Sequence, residues 1–149
     1  MPSMKDRVDK INWKMMYDPK KVTEIISSKS ITNWAKLHPL TVIPNRIDKS
    51  LIPIDFKMFR LLSVTSVAPG VKVVPHSHDE PVFRFFLKGS VLLNGVKYEE
   101  GDWILIPEGV EYELTTEDGY TALVDYGVQC GAPHNGDVLS PLRSKPEHD

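Results

Sequence analysis

From about residue 57 onward, apolar and polar positions alternate in short runs broken by glycine, proline and asparagine. This is the period-two pattern of half-buried strands, not the three-to-four spacing of an amphipathic helix. The runs predict strands over residues 57–67, 72–78, 82–87, 90–93, 96–98, 103–106, 112–115 and 120–128. Asn94-Gly95, lying between two runs, is a strong hairpin signal, and Glu117-Asp118-Gly119 before the alternating run from Tyr120 is a second hairpin signal. Short strands joined this way suit a closed sandwich or barrel, so the predicted fold class is all-β.

The residues before this region follow another pattern. Asp18 can cap a helix and Pro19 can occupy its first turn; Val22, Ile25 and Ile26 then share one face, which predicts a short N-terminal helix. Residues 32–47 mix Trp34, Leu37, Leu40, Val42 and Ile43 with two prolines and predict an extended arm, packed on a larger body or exchanged between subunits. After Val128 come Gly131, Pro133, Asn135, Gly136, Pro141 and Pro146 among charges, the composition of an extended tail. The expected organisation is a helix and arm over 1–52, a barrel over 53–130 and a tail over 131–149.

Size and charge then narrow the function. A chain of 149 residues fits one domain, and 18 basic against 20 acidic residues, a net charge of −2, argues against a nucleic-acid or anionic-membrane partner. No run approaches the roughly 20 apolar residues of a membrane span. The charged residues 1–14 lack the apolar core of a signal peptide, and the single cysteine, Cys130, cannot form an intrachain disulfide. The expected compartment is the cytoplasm, with Cys130 a small buried apolar residue.

The chemistry centres on His76 and His78. Two apart on a strand, both imidazoles point to the same face and form a clamp suited to a divalent transition metal such as Fe, Mn, Ni or Zn. Gly70, His76, His78 and Gly89 stand in the frame of one motif, and Gly101, Pro107 and Gly109 in that of a second. In both, the chain resembles the cupin superfamily, over residues 59–126. The resemblance implies a small jelly-roll β-barrel with an internal ligand cavity, and it assigns His76 and His78 as metal ligands and Pro107 and the glycines as turn formers. Two departures matter: the first motif's glutamate is Val82 and the second motif's histidine is Tyr112, so half of the family's usual three-histidine, one-glutamate metal shell is missing. The second motif's terminal asparagine is also replaced, by Thr116.

Strand parity extends the site. If Val82 faces the cavity, Arg84 and Phe86 face it too, while Phe83 and Phe85 pack outward; by the same registration Tyr112 faces inward, and Glu111 and Glu113 face away. Tyr112 and Arg84 are therefore the candidate catalytic pair. Tyr112 is a third ligand, a proton donor or a packed aromatic, and Arg84 either grips a carboxylate or phosphate in a bidentate pair or sits in a salt bridge. Asp79, Glu80 and His134 are further ligand candidates, and Trp103 is expected to pack in the sheet. Two classes of function remain. One is a metal-dependent oxygenase, isomerase or lyase acting on a small, acidic organic molecule; the other is a non-catalytic sensor or carrier that captures a small anion. The resemblance, with exposed sheet edges that need covering and the N-terminal arm, implies a homodimer.

Overall fold

In a computed structural model, residues 10–40 and 43–128 are described. The strands are β1 (Ile26–Ser27), β2 (Leu61–Val67), β3 (Val71–His76), β4 (Val82–Leu93), β5 (Val96–Glu99), β6 (Trp103–Ile106), β7 (Tyr112–Thr116) and β8 (Tyr120–Tyr126). All pair antiparallel. One sheet runs β1-β6-β4-β8-β2, and the other joins β3-β7 and β5 to the far half of β4. The protein is an all-β, cupin-like jelly roll.

The twelve-residue β4 replaces the two separate strands read from the sequence, because no turn interrupts it. Its first half pairs with β6 and β8, and its second half with β5 and β7. A register shift between Phe86 and Lys88 reverses the parity, so Val82 and Phe86 before it and Val91 and Leu93 after it all enter the same core. Such a bulge bends a strand enough to serve both sheets. The interior is filled by these residues with Ile104, Ile106, Leu114, Ala122, Val124 and the inward tyrosines.

A second core lies on the outside of the first sheet. Phe83, Trp103 and Leu105 point away from the barrel and are buried under Ile26 and Ile54, with Val22, Trp34, Phe56 and Phe59 packed around them. This explains why all four residues of β6 are buried, as both faces of the strand are covered. The N-terminal segment supplies that cover.

It does so without the predicted helix. Asp18 caps a single turn, its side chain accepting from Lys20 N at 3.0 Å and its carbonyl from Lys21 N and Val22 N. The turn then stops, and Ile26 and Ser27 pair with Leu105 and Ile104 as β1. A helix this short gains little by propagating, and β-branched Thr23, Ile25 and Ile26 favour the strand pairing that buries Ile26. Residues 57–60 also fall outside the strand predicted for them: Phe56–Met58 is a 3-10 turn capped by Asp55. Cys130 and His134 lie outside the described residues. Among the described residues no helix is long and apolar enough to cross a membrane.

Candidate functional site

The site is built at one end of the barrel interior, where the end of β3, the first half of β4 and the start of β7 converge. Pro75 interrupts β3, whose register against β7 shifts between Val73 and His76, and the pairing resumes at His76 with Tyr112. His76 and His78 are both buried on the same side, their ring centroids 5.0 Å apart, and the His76 ring lies 4.4 Å from that of Tyr112. Tyr112 is itself buried, while Glu111 and Glu113 are exposed, as their parity requires.

The hydroxyl of Tyr112 joins two cationic or potentially cationic groups. Arg84 Nη2 donates to it at 2.9 Å, and His78 Nε2 lies 3.0 Å from it. Arginine can only donate, so one lone pair of the hydroxyl is committed. The phenolic proton then either goes to His78 Nε2 or, if that nitrogen carries its own proton, is free to meet a ligand. His76 is fixed differently. Its Nδ1 lies 2.9 Å from the Val74 carbonyl, which only accepts, so Nδ1 carries the proton and Nε2 of the neutral ring presents a lone pair. Burial lowers the His76 pKa from the ordinary histidine value; the Val74 contact raises it, the nearby Arg84 charge lowers it further, and Glu111 raises it.

Arg84 is the group with the least obvious place in a barrel core. Burial works against its charge, but Tyr112, Tyr120 and Tyr126 hold its pKa above the ordinary arginine value, so it stays a cation. The residue as a whole is partly exposed, yet Nη1 is buried and makes no hydrogen bond. The ion pair found among the described residues joins Lys29 to Asp102, far along the chain from Arg84. Tyr120 and Tyr126 were not singled out from the sequence. Their inward positions on β8, alternating with Ala122 and Val124, were the available signal. Burial raises the Tyr120 pKa, opposed by the Arg84 charge and by a side-chain hydrogen bond with Arg84, while Tyr112 and Tyr126 add to the rise.

The other candidates separate from this cluster. Glu80 is turned to the end of β8: its carboxylate accepts from Gly127 N at 2.9 Å and from Val128 N at 2.9 and 3.2 Å, so it secures the chain there. Trp103 packs outward, edge-on to Trp34 at 5.6 Å between centroids. Val82, in the position of the missing glutamate, is a buried core residue.

The described residues do not complete a transition-metal site. No group of three or more histidine, cysteine or carboxylate side chains that could hold a metal occurs among them. The nearest hydroxyl is already shared by His78 and Arg84, and the guanidinium charge opposes a second cation beside it.

No protein-family model matches the sequence, and no curated protein matches it. Solved structures that are similar in part include a cupin-like protein of unknown function from Ralstonia eutropha JMP134, at 19% identity and a TM-score of 0.41 over 44% of this chain and 45% of that one. A cupin-2 domain containing protein from Shewanella frigidimarina NCIMB 400 has 17% identity and a TM-score of 0.40 over 44% and 68%. A salicylate 1,2-dioxygenase from Pseudoaminobacter salicylatoxidans, in adducts with gentisate, has 18% identity and a TM-score of 0.42 over 50% and 22%. The chain thus spans less than half of the first of these proteins and about a fifth of the dioxygenase. The cupin-like description rests on this chain's own strand arrangement and motif positions.

Proposed function

We propose that this barrel binds a small organic acid or comparable small anion, with Arg84 as its anchor. The observation that carries the reading is the buried, unpartnered Nη1 of a permanent cation. Holding a charge in a barrel interior without a counter-charge is opposed by several kcal/mol, and Arg84 forms no ion pair among the described residues. An incoming carboxylate satisfies Nη1 and neutralises the site. Tyr112 orients the guanidinium, and where His78 Nε2 carries its own proton the Tyr112 hydroxyl adds a second donor to the anion. In this reading the chain works by binding, as a sensor or carrier.

The experiment is thermal unfolding with a panel of small mono- and dicarboxylates, phosphate and sulfate, on the parent chain and on Arg84→Gln. A bound anion at about 100 times its Kd stabilises the parent by about 2.7 kcal/mol, and the variant shows no such gain. If no anion shifts the parent, or the variant responds equally, the assignment of Arg84 fails.

His76 and His78, edge-on with ring centroids 5.0 Å apart and with the His76 lone pair on Nε2, favour a second reading: a divalent metal held at the pair, with the bound acid or a residue outside the described ones completing the shell. On that reading the protein is a metal-dependent enzyme acting on a small acid, and Tyr112 and Arg84 are its catalytic and substrate-anchoring groups. Elemental analysis of untagged protein beside a His76→Ala/His78→Ala variant separates the two readings. Near-stoichiometric metal that disappears in the variant favours the enzyme, and metal-free protein that still binds anions favours the carrier.

A further inference from the structure

The charges that enter the barrel limit what Arg84 can hold. Among the described residues the buried polar side chains are Ser27, His38, His76, His78 and Thr116, so no lysine and no carboxylate is fully buried. Every other described lysine and arginine is exposed except Lys72, which stands on β3 between Val71 and Val73. Val73 packs on the core, so Lys72 turns to the outer face. Asp125 lies beside Val124 on the strand that pairs with Arg84, but it faces outward with its own partner, Phe83. The Glu80 carboxylate is occupied by the main chain of Gly127 and Val128.

One guanidinium is therefore set among phenol and apolar side chains. Its Nη2 donates to Tyr112 at 2.9 Å, and Nη1, buried without a hydrogen bond, is the nitrogen left for a ligand. A single carboxylate at Nη1 cancels the charge of Arg84. A dianion overshoots it and leaves a negative charge at the same depth with no cation to meet it, and an uncompensated buried charge is strongly opposed. Glu111, exposed just before β7, is close enough for its charge to act on His76, and it opposes any further negative charge at this end of the barrel.

We infer that the ligand of this site is a small monocarboxylate whose remaining part is uncharged, and that dicarboxylates, sulfate and phosphate are discriminated against by charge. The inference rests on the reading of Arg84 as the anchor and adds the charge that this anchor selects. Selection here comes from what the barrel lacks: with no second lysine or arginine beside Arg84, a second ionised group on the ligand loses its water without gaining a partner.

Probes that share a carbon skeleton separate charge from shape. Butyrate, succinate and its half-amide succinamate make one set; propionate, malonate and malonamate make a shorter one; sulfate serves as an inorganic dianion. Titration calorimetry of the full chain is run at about pH 8, where both carboxyl groups of the dicarboxylates are ionised. In the set that fits, the monocarboxylate and the half-amide are expected to bind about tenfold or more tightly than the dicarboxylate, and sulfate no better than the dicarboxylate. Arg84→Gln is expected to lose binding of every probe. Arg84→Lys keeps one charge and is expected to bind more weakly in the same order; circular dichroism checks that both variants fold. A dicarboxylate or sulfate that binds through Arg84 as tightly as the monocarboxylates overturns the inference and leaves Arg84 as the anchor, and so does an Arg84→Lys protein that prefers the dianions. Binding unchanged in Arg84→Gln, or no binding of any probe, removes the anchor itself and the inference with it.

Discussion

On the proposed function, Arg84 gives up stability for binding. Its Nη2 has the Tyr112 hydroxyl, but Nη1 is buried and makes no hydrogen bond, which leaves one guanidinium nitrogen unsatisfied. Arg84→Met keeps most of the volume and removes the charge; such exchanges of buried ions for apolar side chains are often neutral or stabilising by about 1–4 kcal/mol. Urea unfolding without ligand is expected to show the variant as at least as stable as the parent, while anion-dependent stabilisation disappears. A marked loss of ligand-free stability would mean that Arg84 is a structural group. His76 gives a pH dependence of defined sign. Its native pKa lies below the ordinary 6.5, chiefly because it is buried. As the pH falls through 6.5 the unfolded chain takes up a proton that the native ring refuses, so stability declines until the lowered native value is reached. Unfolding measured from roughly pH 7 to pH 5 should therefore slope less steeply in His76→Gln than in the parent. The inward direction of Arg84 was legible in the alternation of its strand once the cupin resemblance had put Val82 on the cavity face. The meeting at Tyr112 was not, because Arg84 and His78 reach it across 28 and 34 residues of chain.

At the level of elements, the Asn94-Gly95 hairpin was legible, whereas Glu117-Asp118-Gly119 joins β7 and β8, which pair with other strands and form no hairpin. Asn94-Gly95 forms the predicted turn between β4 and β5, with both residues at positive φ. Gly89 looks similar in sequence but is bound by its surroundings. It has φ +80°, and a Cβ there would run into the Gly119 carbonyl oxygen and the Tyr120 backbone, whereas a Cβ on Gly95 meets open space. Gly89→Ala is expected to destabilise by about 3 kcal/mol, from strain plus collision, and Gly95→Ala by about 1 kcal/mol from strain alone. Denaturant midpoints of the two variants check the difference; equal losses would show that the close approach of β4 to the turn before β8 does not hold in solution. The N-terminal helix failed for a related reason. Capping signals describe how a helix can begin, and here they produce one turn, but a longer helix would forgo the pairing of Ile26 with β6.

Over the whole molecule, the barrel depends on a layer that is not part of it. Phe83, Trp103 and Leu105 are nearly or wholly inaccessible only because residues from Val22 to Phe59 lie over them. Deleting the chain up to Phe59 bares that outer core, and the remaining barrel is expected to aggregate on expression although its interior is unchanged. A soluble, cooperatively folding fragment would show that the layer is dispensable. The same comparison separates two sources of information. By itself the sequence determined the all-β class and the Asn94-Gly95 hairpin, because strand periodicity and turn chemistry are local and can be read along the chain, and it gave the inward turn of Arg84 and Tyr112 once the cupin resemblance had put Val82 on the cavity face. Tertiary structure alone decided that β4 is one strand bent to serve two sheets, that Glu80 secures the end of β8, and that Arg84 finds a hydroxyl in place of a carboxylate. Those outcomes depend on which distant strands become neighbours and in what register, and that is settled by the packing of the whole barrel.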